Sequence, residues 1–290
     1  MNPEPKRYVH LARCKDRNGI VAKLSGYLYE NGASIAESNH YKDNATNLFY
    51  MRTVFVDENA AARPIDVWKD GFDMIARHFD MDWEIHDDSV KPRLLIAVSK
   101  FGHCLHDLLH RWKAGLLPVE IAGVVSNHED MRSFVEWNGL DYHHLPVTKD
   151  SRAEQEARIR ALVDEHNVDL VVLARYMQIL SEEMCRFLAG RCINIHHSFL
   201  PSFKGAKPYH QAHMRGVKMI GATAHYVTTD LDEGPIIEQD AMRVSHALTA
   251  EQLVNVGRDV ECAVLARAVA WHAERRVIMN GQKTVVFATQ

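Results

Sequence analysis

The chain is short of covalent staples. Its five cysteines, Cys14, Cys104, Cys185, Cys192 and Cys262, are odd in number and scattered, with no C-x-x-C pair to hold zinc or run a dithiol couple. They predict reduced, mostly buried thiols in a cytosolic protein. No apolar stretch approaches the ~18 residues of a membrane span, and the opening MNPEPKRYVHLARCKD lacks the apolar centre of a signal peptide. A cytoplasmic protein with no membrane partner is therefore expected. Basic charge is not in excess either. Thirty-four Lys and Arg stand against 38 Asp and Glu, a net charge of −4, which leaves nothing to neutralise a phosphate backbone and argues against nucleic acid as a partner. Internal repeats and low-complexity segments are also missing.

What the chain does have is an ordinary globular composition, 47% hydrophobic and 25% charged over 290 residues. That excludes extended disorder and fibrous folds, and the length allows two domains or one large α/β domain. Histidine is plentiful, with 18 residues, several of them crowded between His196 and His225.

Tyr8 to Ala12 alternates like a strand and breaks at the turn-forming Lys15 to Gly19. Ile20, Val21, Leu24 and Leu28 then keep one apolar face up to Asn31-Gly32, a suitable left-handed helix stop. Ser34 to Tyr41 and Leu48 to Val56 flank a polar turn and predict a hairpin. Ile65, Trp68, Phe72, Ile75, Ala76 and Phe79 recur at helical spacing, and Met81 to His86 closes the set as a strand. The order β-α-β-β-α-β predicts a ferredoxin-like α+β domain over residues 1–88.

From residue 89 to 290 the grammar changes to alternating strands and helices. Apolar runs at Leu94 to Val98, Val119 to Val125 and Val168 to Leu173 lack alternation, as expected of strands covered on both faces. The fold class is thus α/β, a doubly wound and mainly parallel sheet, with its ligand cleft at the carboxyl ends of the central strands. Leu105, Leu108, Leu109 and Trp112 predict the first crossover helix. Ser151 to His166 predicts a solvated helix, and Leu253 to Leu265 a long amphipathic one.

The stretch richest in chemistry is Cys192 to Pro201. A short strand presents Asn194 and His196 on one face, an amide able to donate to an oxyanion and an imidazole able to move a proton. The competing reading is that both merely satisfy backbone groups at a strand end. Downstream, Thr229 to Pro235 places three acids around a turn, and a carboxylate joined to an amide and an imidazole suffices for hydrolysis or transfer of a small acyl group.

Asn194-Ile195-His196, Ser198-Phe199-Leu200-Pro201, Leu231-Asp232-Glu233-Gly234 and Leu173 to Ser181 together resemble the folate-dependent formyltransferase fold. From Val9 to Phe287 the chain is similar to the formyltetrahydrofolate deformylases, which join an amino-terminal ACT domain to that catalytic domain. The resemblance implies a catalytic trio of Asn194, His196 and Asp232. It also implies folate binding by Arg175, Met177, Gln178, Ile179 and Leu180, with the turn from Thr228 to Asp232 closing the other side. For Met177 and Ile179 the alternative is core packing. The implied reaction is hydrolysis of 10-formyltetrahydrofolate to formate and tetrahydrofolate, feeding purine synthesis and balancing the one-carbon pool, with no cofactor and no metal.

Three features favour hydrolysis over formyl transfer to an amine such as glycinamide ribonucleotide. The first βα turn, Ser99 to Cys104, has one glycine and is a poor phosphate cradle. His197 stands where the resemblance implies proline in the transferases. An ACT domain suits an enzyme that must be throttled, and it implies a homo-oligomer and an amino-acid effector near Asp16 to Gly19, although Lys15 replaces the family's usual proline. An amino-acid sensor with a decayed catalytic domain is disfavoured by the intact trio. His196, His197, His210, His213 and His225 offer zinc ligands in principle, but no H-E-x-x-H motif is present. Lys204, Lys207 and His210 are either contacts for the folate tail or formate, or a solvated surface.

Overall fold

A computed structural model describes residues 5–59, 62–148, 150–199 and 208–288. The chain divides into two units, each with its own sheet.

In the first unit, β1 (Arg7–Lys15), α1 (Ile20–Glu30), β2 (Ala33–Asp43), β3 (Leu48–Asp57), α2 (Ile65–Phe79) and β4 (Asp82–Asp87) follow in the expected order. The strands form an antiparallel sheet in the order β2-β3-β1-β4, the ferredoxin-like arrangement. Tyr8 and Phe55 stack with ring centroids 5.3 Å apart, and Phe55 meets Trp68 edge-on at 5.0 Å. Trp68, Phe72, Ala76 and Phe79 are the buried stripe of α2. Asp80, at φ 54°, ends that helix in the left-handed region.

The second unit contains β5 (Arg93–Val98), α3 (His103–Lys113), β6 (Glu120–Ser126), α4 (Arg132–Trp137), β7 (Tyr142–His144), α5 (Arg152–Glu165), β8 (Leu170–Leu173), α6 (Glu182–Phe187), β9 (Cys192–His196), α7 (Pro208–Met214), β10 (Met219–Tyr226), β11 (Ile236–Arg243) and α8 (Ala250–Ala273). A short hairpin of β12 (Val277–Asn280) and β13 (Lys283–Val286) ends the chain's regular structure. The seven-stranded sheet runs β11-β10-β9-β8-β5-β6-β7. β7 to β9 in this order are parallel, while β10 pairs antiparallel with both β9 and β11. Leu94 to Val98 are all at most 2% exposed, so β5 is covered on both faces as its unbroken apolar run predicts. Strand order reverses between β5 and β8, and the crevice at their carboxyl ends is where an open α/β sheet takes a ligand.

Two expectations are corrected. The division falls between Lys91 and Pro92, and residues 89–290 are not one unit, because Glu274–Ile278 and Val285–Gln290 group with the first. The cause is a buried guanidinium in search of acceptors. Arg52, 3% exposed on β3, donates to the Glu274 and Arg275 carbonyls and pairs with Glu37 at 2.9 Å, while Arg276 also pairs with Glu37 and donates to the Phe287 carbonyl. Buried charge must be paired: Glu37 supplies the countercharge from the neighbouring strand, and the two carbonyl acceptors lie over 200 residues away. The helix expected to be solvated, α5, instead buries Ile159, Leu162 and Val163 in the second unit's core.

His10 on β1 is 1% exposed, packs 4.4 Å from the Phe72 ring, and has no hydrogen-bond partner on either ring nitrogen. Burial lowers it to about 3, so it is neutral in the folded chain. Because the folded value lies below the unfolded one of ~6.5, the unfolded chain binds the extra proton and stability falls as pH drops from that value towards 3. Relative to a His10→Leu variant, the parent should lose about 2 kcal/mol more between pH 7.5 and 5. Denaturant melts at the two pH values check this, and equal losses would contradict it.

Candidate active site

Asn194 and His196 share a face of β9, two residues apart. β10 pairs antiparallel alongside, with His225 opposite Asn194 and Thr223 opposite His196, so the His225 side chain joins the same face. After β10 the chain turns through residues 227–235 and closes on itself, the Tyr226 N–H donating to the Pro235 carbonyl at 2.9 Å. Closure requires glycine at 234, where a Cβ would lie 1.7 Å from the Tyr226 carbonyl oxygen. Within this turn Asp232 adopts φ 58°, a left-handed conformation that a short polar side chain tolerates.

The turn delivers the Asp232 carboxylate to the strand face. Oδ2 lies 3.2 Å from His196 Nδ1, and Oδ1 lies 3.7 Å from His225 Nε2. Asn194 Nδ2 is 3.5 Å from Oδ1 and 3.3 Å from His225 Nε2. His225 Nδ1 faces the Tyr226 carbonyl at 2.9 Å, an acceptor only, so Nδ1 carries a proton. The hydrogen bond from His196, then the contact with His225, outweigh burial and hold the Asp232 carboxyl well below the usual carboxylate range. His196 meets the carboxylate through Nδ1, with Nε2 as its second ring nitrogen. The three trio positions are thus brought together, and His225, which the sequence left between a structural and a nearby role, is 3% exposed and touches two of them.

The loop after β8 is the second component. Arg175 (φ 65°) and Met177 (φ 57°) are both left-handed, a conformation that costs non-glycine residues roughly 1–2 kcal/mol each. External bonds hold it. The Ser99 N–H donates to the Arg175 carbonyl, the Ser99 hydroxyl donates to the Tyr176 carbonyl, and Arg152 Nη2 donates to the Ile179 carbonyl. The Glu156 carboxylate accepts from the Ser181 N–H at 2.7 Å and from its hydroxyl. Met177 and Ile179 are exposed at 59% and 62%, which removes the core-packing alternative for both. Leu180 packs partly against the core, Gln178 is half-buried, and half-buried Thr228 donates its hydroxyl to the Asp230 carbonyl. Phe199 and Leu231 are further exposed apolar side chains, on the segments after β9 and β10.

His197 stacks edge-on against His196, centroids 4.7 Å apart. Burial, then the Arg175 charge, lower it to about 4, and its Nδ1 has no partner. Lys204 and Lys207 lie outside the described residues, and His210 and His213 ride on α7. Among the described residues, the group whose donor atoms come within 4.8 Å of one another is His103, Cys104 and Glu261 rather than the histidines singled out in sequence. Sequence reading missed Ser99, Arg152, Glu156, Tyr209 and Glu261, whose roles rest on partners 25 to 158 residues away. Ser99 lies in the first βα turn, Arg152 and Glu156 in the helix expected over Ser151 to His166, and Glu261 in the amphipathic one over Leu253 to Leu265, but the sequence pattern gave none of them a role.

Residues 92–269 match the family model described as "Formyl transferase". A formyltetrahydrofolate deformylase from Corynebacterium sp. (strain P-1) is 48% identical over 98% of this chain and 99% of its own length. The solved structure of a Burkholderia mallei formyltetrahydrofolate deformylase superposes with TM-score 0.92 at 50% identity, covering 98% of this chain and all of that one. A glycinamide ribonucleotide transformylase from Symbiobacterium toebii is also similar, with TM-score 0.62 and 32% identity, but it covers 68% of this chain against 94% of its own. The deformylase likeness takes in both units, and the chain belongs to the formyltetrahydrofolate deformylase family.

Proposed function

We propose that this chain hydrolyses 10-formyltetrahydrofolate to formate and tetrahydrofolate. The observation that carries the reading is the convergence of Asn194, His196 and Asp232 beside an exposed apolar loop, in a chain whose deformylase relatives match it end to end. A carboxylate held strongly acidic is a weak base, so its work is to fix His196 by Nδ1 and to stabilise the imidazolium. His196 Nε2 takes the proton of water as the oxygen attacks the formyl carbon. The Asn194 amide nitrogen faces two acceptors, Asp232 Oδ1 and His225 Nε2, at 3.5 and 3.3 Å, and one of its two N–H groups turns to the developing oxyanion when substrate binds. His196 then returns the proton to the departing N10 nitrogen, and formate leaves.

The exposed side chains of Met177 and Ile179 supply an apolar wall for the folate ring, with polar groups from Arg175, Gln178, Leu180 and Thr228 fixing its edge. This chemistry uses no metal or cofactor. Formate so released would feed purine synthesis while balancing the one-carbon pool in a cytoplasmic setting. The first unit serves as an ACT-type regulatory domain. Its strand order supports this, as does Gly19, at φ 95°, which opens α1 without a side-chain cap in the loop assigned to an amino-acid effector. Such domains pair across subunits, which favours a homo-oligomer.

Formate should be released from 10-formyltetrahydrofolate at the same rate with and without glycinamide ribonucleotide; release that requires the amine would support a transferase instead. Asp232→Asn should lower kcat by about 10³-fold, in the range general acid–base groups contribute. Folate affinity, measured by tetrahydrofolate titration, should stay within a few-fold, and near-parental turnover would remove Asp232 from the mechanism. Ile179→Asp should raise KM about tenfold with little change in kcat, as expected for loss of uniform binding. A changed kcat at constant KM would contradict the wall.

A further inference from the structure

α8 carries, one helical turn apart, a residue without a side chain and a buried carboxylate. A Cβ on Gly257 would lie 2.2 Å from Tyr209 Cζ and 2.3 Å from its hydroxyl oxygen, so the ring lies against the helix only because position 257 is glycine. Glycine inside a helix costs about 1 kcal/mol relative to alanine, and the seat for Tyr209 accounts for it here. The Tyr209 hydroxyl donates to Glu261 Oε1 at 2.7 Å.

The other oxygen of Glu261 is also engaged. Oε2 lies 2.8 Å from His103 Nε2 and 3.4 Å from Arg175 Nε, and the residue is 1% exposed. Burial alone would raise its carboxyl, but the His103 hydrogen bond, the Arg175 charge and the Tyr209 bond outweigh it and hold the group ionised. His103 opens α3 after β5, Arg175 follows β8, and Tyr209 lies on α7 after β9. One carboxylate therefore ties together the segments that follow three neighbouring strands. The tie ends at the chemistry, because the Tyr209 ring stands edge-on to His197 at 6.4 Å and His197 edge-on to His196 at 4.7 Å.

His103, Cys104 and Glu261 also suggest a divalent cation site. Both Glu261 oxygens are already committed, one beside a guanidinium, and the hydrogen bond with Cys262 and burial push the Cys104 thiol up, away from the thiolate a metal needs. The network is better matched to holding side chains than to holding an ion.

We propose that Gly257 and Glu261 form a receptor on α8 that seats Tyr209 and, through the His197 ring, fixes the orientation of His196. Glu261, Gly257 and Tyr209 are on this view positioning residues, and the kinetic part of the test rests on the deformylase reading. Tyr209→Phe keeps the ring and removes the bond to Glu261; it should lower kcat about five- to tenfold with KM within two-fold, the signature of misoriented catalytic groups. Gly257→Ala should cost about tenfold in kcat in the parent but less than two-fold in a Tyr209→Ala background, where no ring remains to be displaced. Without any substrate, the His196 and His197 ring resonances in NMR spectra should move in Tyr209→Phe.

Parental kcat in Tyr209→Phe, equal Gly257→Ala losses in the two backgrounds, or unmoved histidine resonances would overturn the inference. Glu261→Gln is the more direct variant but empties a buried charge network. Should it fail to fold, Tyr209→Phe decides. A parent chain that releases no formate would refute the deformylase reading, while the NMR comparison would still judge the receptor.

Discussion

The antiparallel pairing of β10 with β9 is the constraint on which the site depends. Register alone sets His225 opposite Asn194 and leaves His196 on the same face. The turn after β10 must then double back, and it does so through the bare backbone of Gly234, which lets Asp232 arrive within 3.2 Å of His196. The carboxylate's acidity is a product of that arrival, since its largest cause is the hydrogen bond from His196. A one-residue slip of β10 would turn His225 to the other face and remove a neighbour from both Asn194 and Asp232.

Around this pairing, buried charge is balanced locally rather than removed. Glu156 and Arg152 on α5 brace the loop after β8, and Glu261 on α8 gathers His103, Arg175 and Tyr209. These contacts sustain the left-handed backbone of Arg175 and Met177, which leaves Met177 and Ile179 with their apolar side chains in solvent. Exposed apolar groups on a braced loop are suited to a planar ligand, because little ordering cost remains to be met on binding.

The fold was largely legible from local pattern. The period of the α2 stripe, the unbroken runs of β5 and β8, and Asn31-Gly32 at the end of α1 each reflect forces acting within a few residues. What escaped was set at long range. The clamp of Arg52 on Glu274 and Arg275 spans more than 200 residues, so nothing near the terminus marks those segments as part of the first unit. The same holds in the site: Asn194, His196 and Asp232 were marked by motif, whereas Glu261 stands in an amphipathic helix and looks like one more surface acid until the fold buries it to 1% exposure. Met177 and Ile179 were ambiguous because sequence does not distinguish an apolar residue kept for the core from one kept for a ligand.

In the proposed reaction, water activated by His196, itself fixed by Asp232, is the nucleophile that receives the formyl group. Single-turnover reaction of the chain with 10-formyltetrahydrofolate in ¹⁸O-labelled water, followed by mass analysis of the formate, tests it most directly. One labelled oxygen in each formate released is the predicted result. Formate without label, or formyl groups recovered only on an added amine, would contradict it.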